Sequence, residues 1–263
     1  MFLIIIGTIV IVIAVTKSKN KSDGLVKIIT TDPIVSSTTT TEVTTTEPIT
    51  TTETATTTEK AKTTTIKPTK ENSTSISANG YKIETIDGIT YVDGVLIANK
   101  TYSLPSDYNP GGLTKECKAA FDEMAAVAKE EGLTLFVCSG YRSYSKQKTI
   151  YEKYCNRDGK NAADRYFARP GHSEHQTGLA IDVNTASSND NTSESFKPIR
   201  EWIANNCYKY GFIVRYPEGK ESITGYKYEC WHIRYIGKDL AKKIYDSGLT
   251  LEEYYGITSK YVD

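Results

Sequence analysis

Hydrophobic and polar positions divide the chain into three unlike stretches. Residues 1–15, MFLIIIGTIVIVIAV, are almost wholly apolar, and a basic run of Lys17, Lys19 and Lys21 follows. A bilayer span takes about 20 apolar residues and a secretory signal begins with basic residues, so this stretch is short for the first and lacks the start of the second. It reads as an export and membrane-anchoring segment, residues 1–16. Residues 17–78 are dominated by Thr, with Glu, Pro, Lys and Ser between. Such a composition buries too little apolar area to offset roughly 1–2 kcal/mol of backbone entropy per residue, so a disordered tether is expected. From residue 79 to residue 263 the apolar positions recur with the periods of a folded domain.

Within that domain, Asp87-Gly88 and Asp93-Gly94 separate the strand-like runs YKIETI, ITYV and VLIANKTY, which predicts hairpins. Thr114 caps an amphipathic helix over 115–132, with Phe121, Met124, Ala125 and Ala128 on one face and Gly132 ending it. LTLFVCSG reads as a buried strand, 145–155 as a second amphipathic helix and GLAIDV as a short buried strand. Ile199, Trp202 and Ile203 mark a further helix that Gly211 stops. The strands FIVRYP and YKYECWHIRYI follow, then a last helix over Lys238–Ser247. Helices and hairpins alternate without a βαβ repeat, so the predicted class is α+β, one domain of helices packed on a small, mainly antiparallel sheet.

Composition changes the picture in two ways. The 263 residues carry 32 basic and 32 acidic side chains, and a net charge of zero gives no electrostatic reason to bind nucleic acid. No residue pattern calls for an obligate protein partner. Five Cys in an exported chain leave at least one unpaired. Cys138 and Cys230 fall in strands expected to be buried, whereas Cys155 and Cys207 lie near helix ends, where a disulfide is sterically open. There is no CxxC, which argues against a structural zinc cluster.

The three His are confined to two windows, GHSEHQTGLAIDV and YECWHIRY. A catalytic zinc site takes about three N or O ligands and keeps one position for water, and two His with one carboxylate is a common set. His175, Asp182 and His232 supply it. The H-x6-D spacing requires a turn through Thr177 and Gly178 to bring Asp182 back beside His175. Glu229, three residues before His232, is the candidate base that takes a proton from the attacking water and returns it to the leaving amine. In a regular strand these two residues face opposite ways, so Glu229 is expected at an irregular start of the strand. Upstream, Arg142 in SGYRS has the fork of donors that suits a carboxylate or a developing oxyanion.

These pieces together carry a resemblance. SGYRSYSKQ, PGHSEHQTGLAIDV, YGFIVRYPEGKESITGYKYECWH and ANKTYSLPSDYNPGG, in matching order over residues 98–237, resemble the VanY-type zinc D-alanyl-D-alanine carboxypeptidases. The resemblance implies zinc held by His175, Asp182 and His232, Glu229 as catalytic base and Arg142 as the transition-state arginine. It places Ser173, Gln147 and Trp231 along the substrate groove. His172 is left to shape its loop. Cys230 stands where many relatives have Pro; a thiol there could compete for zinc, against the more usual buried structural role. Gln176-Thr177 separates the chain from VanX-type dipeptidases and favours long peptides.

The implied activity is hydrolysis of the C-terminal D-alanine of peptidoglycan stem peptides, by a membrane-anchored enzyme whose catalytic domain lies on the cell-wall side. An LD-carboxypeptidase acting on tetrapeptides carries the same motifs. A catalytically silent wall-binding module is a reading of another class, and the intact Glu229 speaks against it. A mucin-like adhesin built on the Thr-rich stalk is a third.

Overall fold

The computed structural model describes residues 72–184 and 193–262. The apolar run 1–15 and nearly all of the Thr-rich stretch lie outside the described residues. Among the described residues no helix is long and apolar enough to cross a membrane.

The first sheet is a meander of β1 (Ser73–Ile76), β2 (Lys82–Ile86), β3 (Ile89–Val92) and β4 (Val95–Ile97), each antiparallel to the next. β1 lies ahead of the expected domain start at residue 79. Both Asp-Gly pairs make the expected turns, with φ of 52° and 80° at Asp87 and Gly88 and 49° and 78° at Asp93 and Gly94. Two successive positive φ values belong to the type I′ turn, whose twist matches that of the flanking strands.

The second sheet carries the site. It is built from β5 (Phe136–Ser139), β6 (Ala180–Asn184), β7 (Phe212–Tyr216) and β8 (Glu229–Tyr235), in the order β5-β6-β8-β7 and antiparallel throughout. The helices are α1 (Lys115–Glu130), α2 (Tyr144–Asp158), α3 (Lys160–Ala163), α4 (Lys197–Asn206), α5 (Glu221–Thr224), α6 (Lys238–Ser247) and α7 (Leu251–Tyr255). The mixed class with antiparallel strands is as expected, but the hairpins form a sheet of their own instead of joining a single central one. Helix α7 was not anticipated; its Thr250–Glu253 capping box satisfies backbone donors at a start too short to show periodicity.

α1 begins where Thr114 accepts a hydrogen bond from the backbone N–H of Cys117. Its buried face, Cys117, Ala120, Phe121, Met124 and Ala128, packs with Ile199, Trp202 and Ile203 of α4 against Ile181, Val183, Phe212, Cys230 and Ile233 of the sheet. Alternation along β6 sends Ile181 and Val183 into this core and leaves Asp182 on the other face. A second core, Val92 and Ile97 with Ile213, Ala241, Ile244, Leu251 and Tyr255, joins the meander to α6 and α7.

One strand departs from expectation. LTLFVCSG is not buried: Leu135 is, but Phe136 and Val137 are 42% and 44% exposed and Cys138 is exposed. β5 is the edge of its sheet, with a neighbour on one side only, so its apolar run does not report two covered faces. None of the five cysteines is joined in a disulfide among the described residues, and Cys230 lies in the first core.

The sequence reading also did not anticipate a buried ionic cluster beneath the sheet. Arg215 of β7 donates from Nε to Glu174 Oε1 at 2.8 Å and from both terminal nitrogens to Glu252 of α7 at 2.7 and 2.5 Å. Arg234 of β8 donates to the same Glu174 oxygen at 3.0 Å and to the Leu96 carbonyl of β4 at 2.6 Å. Asn99 adds a donor to Glu252 at 3.1 Å. Burial works against ionisation of Glu174, but Arg215 and Arg234 outweigh it and hold the carboxyl below the usual range. Taking one charge from such a cluster strands its partners without water, which costs about 3–5 kcal/mol. Arg215→Met is therefore expected to lower the free energy of unfolding by that amount in a denaturant titration; a change within 0–1 kcal/mol, as for a surface pair, would show that the cluster does not hold the two sheets and α7 together.

Candidate active site

The site begins with strand register. Asp182 of β6 stands directly opposite His232 of β8. Cross-strand partners in an antiparallel pair have their side chains about 4.5–5.5 Å apart at Cβ, so pairing alone delivers a carboxylate next to an imidazole. His232 Nδ1 lies 2.9 Å from Asp182 Oδ1.

His175 arrives from a short 3-10 turn, Glu174–Thr177. Gly178 ends it at φ 70°, and a Cβ there would sit 2.3 Å from the Gly112 carbonyl oxygen, so both the backbone conformation and the space require glycine. Through this turn His175 Nε2 comes to 3.1 Å from Asp182 Oδ2. The two imidazole rings are 4.9 Å apart and nearly perpendicular.

The outer nitrogens of both rings are held. His175 Nδ1 lies 2.6 Å from the Gly140 carbonyl oxygen, which can only accept, so the proton is on Nδ1 and Nε2 is the electron-pair donor. His232 Nε2 lies 3.3 Å from Glu174 Oε2, which makes Nδ1 its donor atom. One ligand atom from each of His175, Asp182 and His232 then lies within 4.8 Å of the others, and it is the one such group among the described residues. Two imidazoles and a carboxylate, buried and braced by outer hydrogen bonds, are the donor chemistry zinc takes with a fourth position left over. Burial disfavours the charged form of His232, yet its hydrogen bonds to Asp182 and Glu174 raise its pKa to about 9. A cation bound at the triad takes the place of that proton, since a ligating imidazole is neutral.

Glu229 solves its parity problem with a bulge. Val214 pairs with Ile233 and Tyr216 with Glu229, so two steps along β7 correspond to four along β8. The two extra residues of β8 bring Glu229 and His232 into one pocket while Cys230 stays in the core. Burial raises the Glu229 carboxyl to about 8, with nearby His232 drawing it the other way.

Arg142 is fixed at every corner. Its Nε donates to Ser139 Oγ at 3.0 Å, one terminal nitrogen to Gln147 Oε1 at 2.9 Å and the other to Asp182 Oδ2 at 3.0 Å, while its backbone N–H donates to the His175 carbonyl at 3.1 Å. Gln147 is in turn held through its Nε2 by the Ala168 carbonyl at 2.7 Å. Ser173, Gln147 and Trp231 line the same pocket, of about 760 Å³, as Arg142, Glu229 and the triad. His172 does not; its Nδ1 pairs with the Asn99 carbonyl at 2.8 Å. The sequence reading missed Tyr216, whose ring lies 4.9 Å from that of His232, and Glu174. A signal for Glu174 existed: Arg215 and Arg234 sit in apolar strands, and arginines so placed need buried carboxylates.

Residues 111–238 match the VanY family, described as D-alanyl-D-alanine carboxypeptidase. The putative carboxypeptidase YodJ of Bacillus subtilis (strain 168) is 41% identical over 195 residues, which cover 66% of this chain and 71% of YodJ. The chain belongs to the VanY family. Among solved structures, the LdcB LD-carboxypeptidase is 41% identical, with a TM-score of 0.60 over 74% of this chain and all of that one. A mutant of the vancomycin-resistance D,D-pentapeptidase VanY, in complex with Zn(II), is 34% identical, with a TM-score of 0.53 over 60% of this chain and 96% of that one.

If Glu174 orients His232 for the metal, Glu174→Gln weakens zinc binding by about 10- to 100-fold in competition with a chelating dye. Unchanged affinity in a folded variant would assign Glu174 to the ionic cluster alone.

Proposed function

We propose that the chain is a zinc-dependent carboxypeptidase that removes the C-terminal D-alanine from peptidoglycan stem peptides. The observation that carries this reading is the convergence of the His175, Asp182 and His232 donors with Glu229 and Arg142 in one pocket of a VanY-family domain. His175, Asp182 and His232 would hold the zinc, which would supply polarisation of the scissile carbonyl and a lowered pKa of water.

The protein's own groups do the rest. Glu229 is half-buried, and burial raises its carboxyl to about 8; a cation held by the neighbouring triad would favour its ionised, proton-accepting form. Glu229 takes the proton of the attacking water and hands it to the amine as the peptide bond breaks. Arg142 faces the oxygen on which negative charge develops. The bonds from Ser139, Gln147 and Asp182 hold its fork in place beforehand, so little reorganisation is needed in the transition state. Ser173, Gln147 and Trp231 flank the peptide.

A second reading, LD-carboxypeptidase action on tetrapeptides, is supported by the higher identity to LdcB, 41%, than to the D,D-pentapeptidase, 34%. Residues 1–16 would hold the enzyme at the cell membrane and residues 17–78 carry the catalytic domain to the wall side; fractionation of cells expressing the chain with and without 1–16 tests this.

With zinc, the protein is expected to release D-alanine from a pentapeptide, and chelation to stop release until zinc is restored. Glu229→Gln is expected to abolish turnover, and Arg142→Ala to cut kcat by about 10²–10³ with zinc affinity retained. Mass spectrometry on penta- and tetrapeptides side by side decides between the two readings. No release from either, or equal release by Glu229→Gln, would overturn both.

A further inference from the structure

The pocket is larger than the chemistry so far described requires. A carboxypeptidase binds the end of its substrate at the metal, and a single alanine leaves most of about 760 Å³ unfilled. Away from the triad the lining changes character, to Tyr154 and Arg157 of α2 and to Tyr166 and Phe167 beyond α3. None of these was singled out by the motifs, and none bonds to the triad.

They form a preassembled shelf. Tyr154 stacks on Phe167 with centroids 3.9 Å apart and planes 21° from parallel, and Tyr166 meets both edge-on at 6.0 and 5.2 Å. The Arg157 guanidinium lies 4.4 Å over the Tyr154 ring and is held by Asp158 through two bonds of 2.7 and 2.6 Å. Asp158 also takes the Tyr166 hydroxyl. The rings and the guanidinium are therefore ordered before a ligand arrives, which lowers the entropic cost of binding.

The shelf carries excess positive charge. Lys153 stands 5.9 Å from the Tyr154 ring and Lys227 5.5 Å from that of Tyr166; with Arg157, and with Arg165 paired to Glu221 beside Lys227, four cations border the rings against the carboxylates of Asp158 and Glu221. Lys227 also lies two residues before Glu229. Aromatic faces accept the flat, weakly polar surface of a peptide chain, and the cations beside them favour an anionic group.

We propose that this shelf binds the part of the peptide upstream of the scissile bond and selects substrates that bear a free carboxylate there. The proposal rests on the carboxypeptidase reading above, because a substrate whose end lies at the metal can fill the shelf only with its upstream residues. Arg157 and Lys227 are its specificity-determining charges. Tyr154 supplies the contact surface.

The test uses the zinc-loaded full chain and three synthetic peptides ending in D-alanine: a short N-acetylated one, and two longer ones that differ only in glutamate or glutamine upstream. kcat/KM is expected to be about tenfold higher for the glutamate peptide, the order of one charge-assisted contact, and the difference to lie in KM. The double variant Arg157→Gln, Lys227→Gln is expected to remove that difference and to leave the short peptide unchanged. Tyr154→Leu should weaken both long peptides alike. Equal handling of the two long peptides by the wild type, or an equal loss on all three in the double variant, would overturn the proposal. Calorimetry with the zinc-loaded Glu229→Gln protein reads the same discrimination as Kd without turnover. Retained discrimination with no turnover by the wild type would therefore sink the hydrolase reading and not the shelf.

Discussion

The site depends on where one buried carboxylate goes. Glu174 has essentially no contact with solvent, and its two oxygens face Arg215 and Arg234 on one side and His232 on the other. An isolated carboxylate in that position would be neutral, since desolvation of the charge costs several kcal/mol. Two guanidiniums keep it ionised, and an ionised Glu174 fixes which nitrogen of His232 is available to a metal. The same arginines reach Glu252 of α7 and the Leu96 carbonyl of β4, so the orientation of one imidazole is tied to elements far apart in the chain.

Against this fixed base, the strands set the working geometry. Asp182 and His232 face each other because β6 and β8 pair in that register, and a slip of one residue in either strand would turn its member of the pair to the core face and separate the two. The bulge in β8 breaks the register where a regular strand would turn Glu229 away. Regularity positions the metal donors and its local failure positions the base.

The chemistry was more legible in the sequence than the architecture that supports it. His, Asp and Glu in two short windows point to a metal hydrolase because few other arrangements need those groups together, and the turn at Gly178 followed from the spacing. The hairpins and α1 followed from Asp-Gly pairs and a capped 3.6-residue period. What the sequence hid was of two kinds. LTLFV reads as buried because hydrophobicity does not say whether a strand lies at an edge. The Glu174 cluster follows no period, and its members, spread from Glu174 to Glu252, meet only in the folded chain.

α7 has a bearing on the site although it contributes no residue to it. Arg215 and Asn99 find Glu252 only when α7 is docked. Without α7 the metal donors would still be present, but Arg215 would keep only Glu174 as a carboxylate partner and its two terminal nitrogens would lose theirs. The buried network that braces the metal donors is thus closed by a helix that comes later in the chain than any of them.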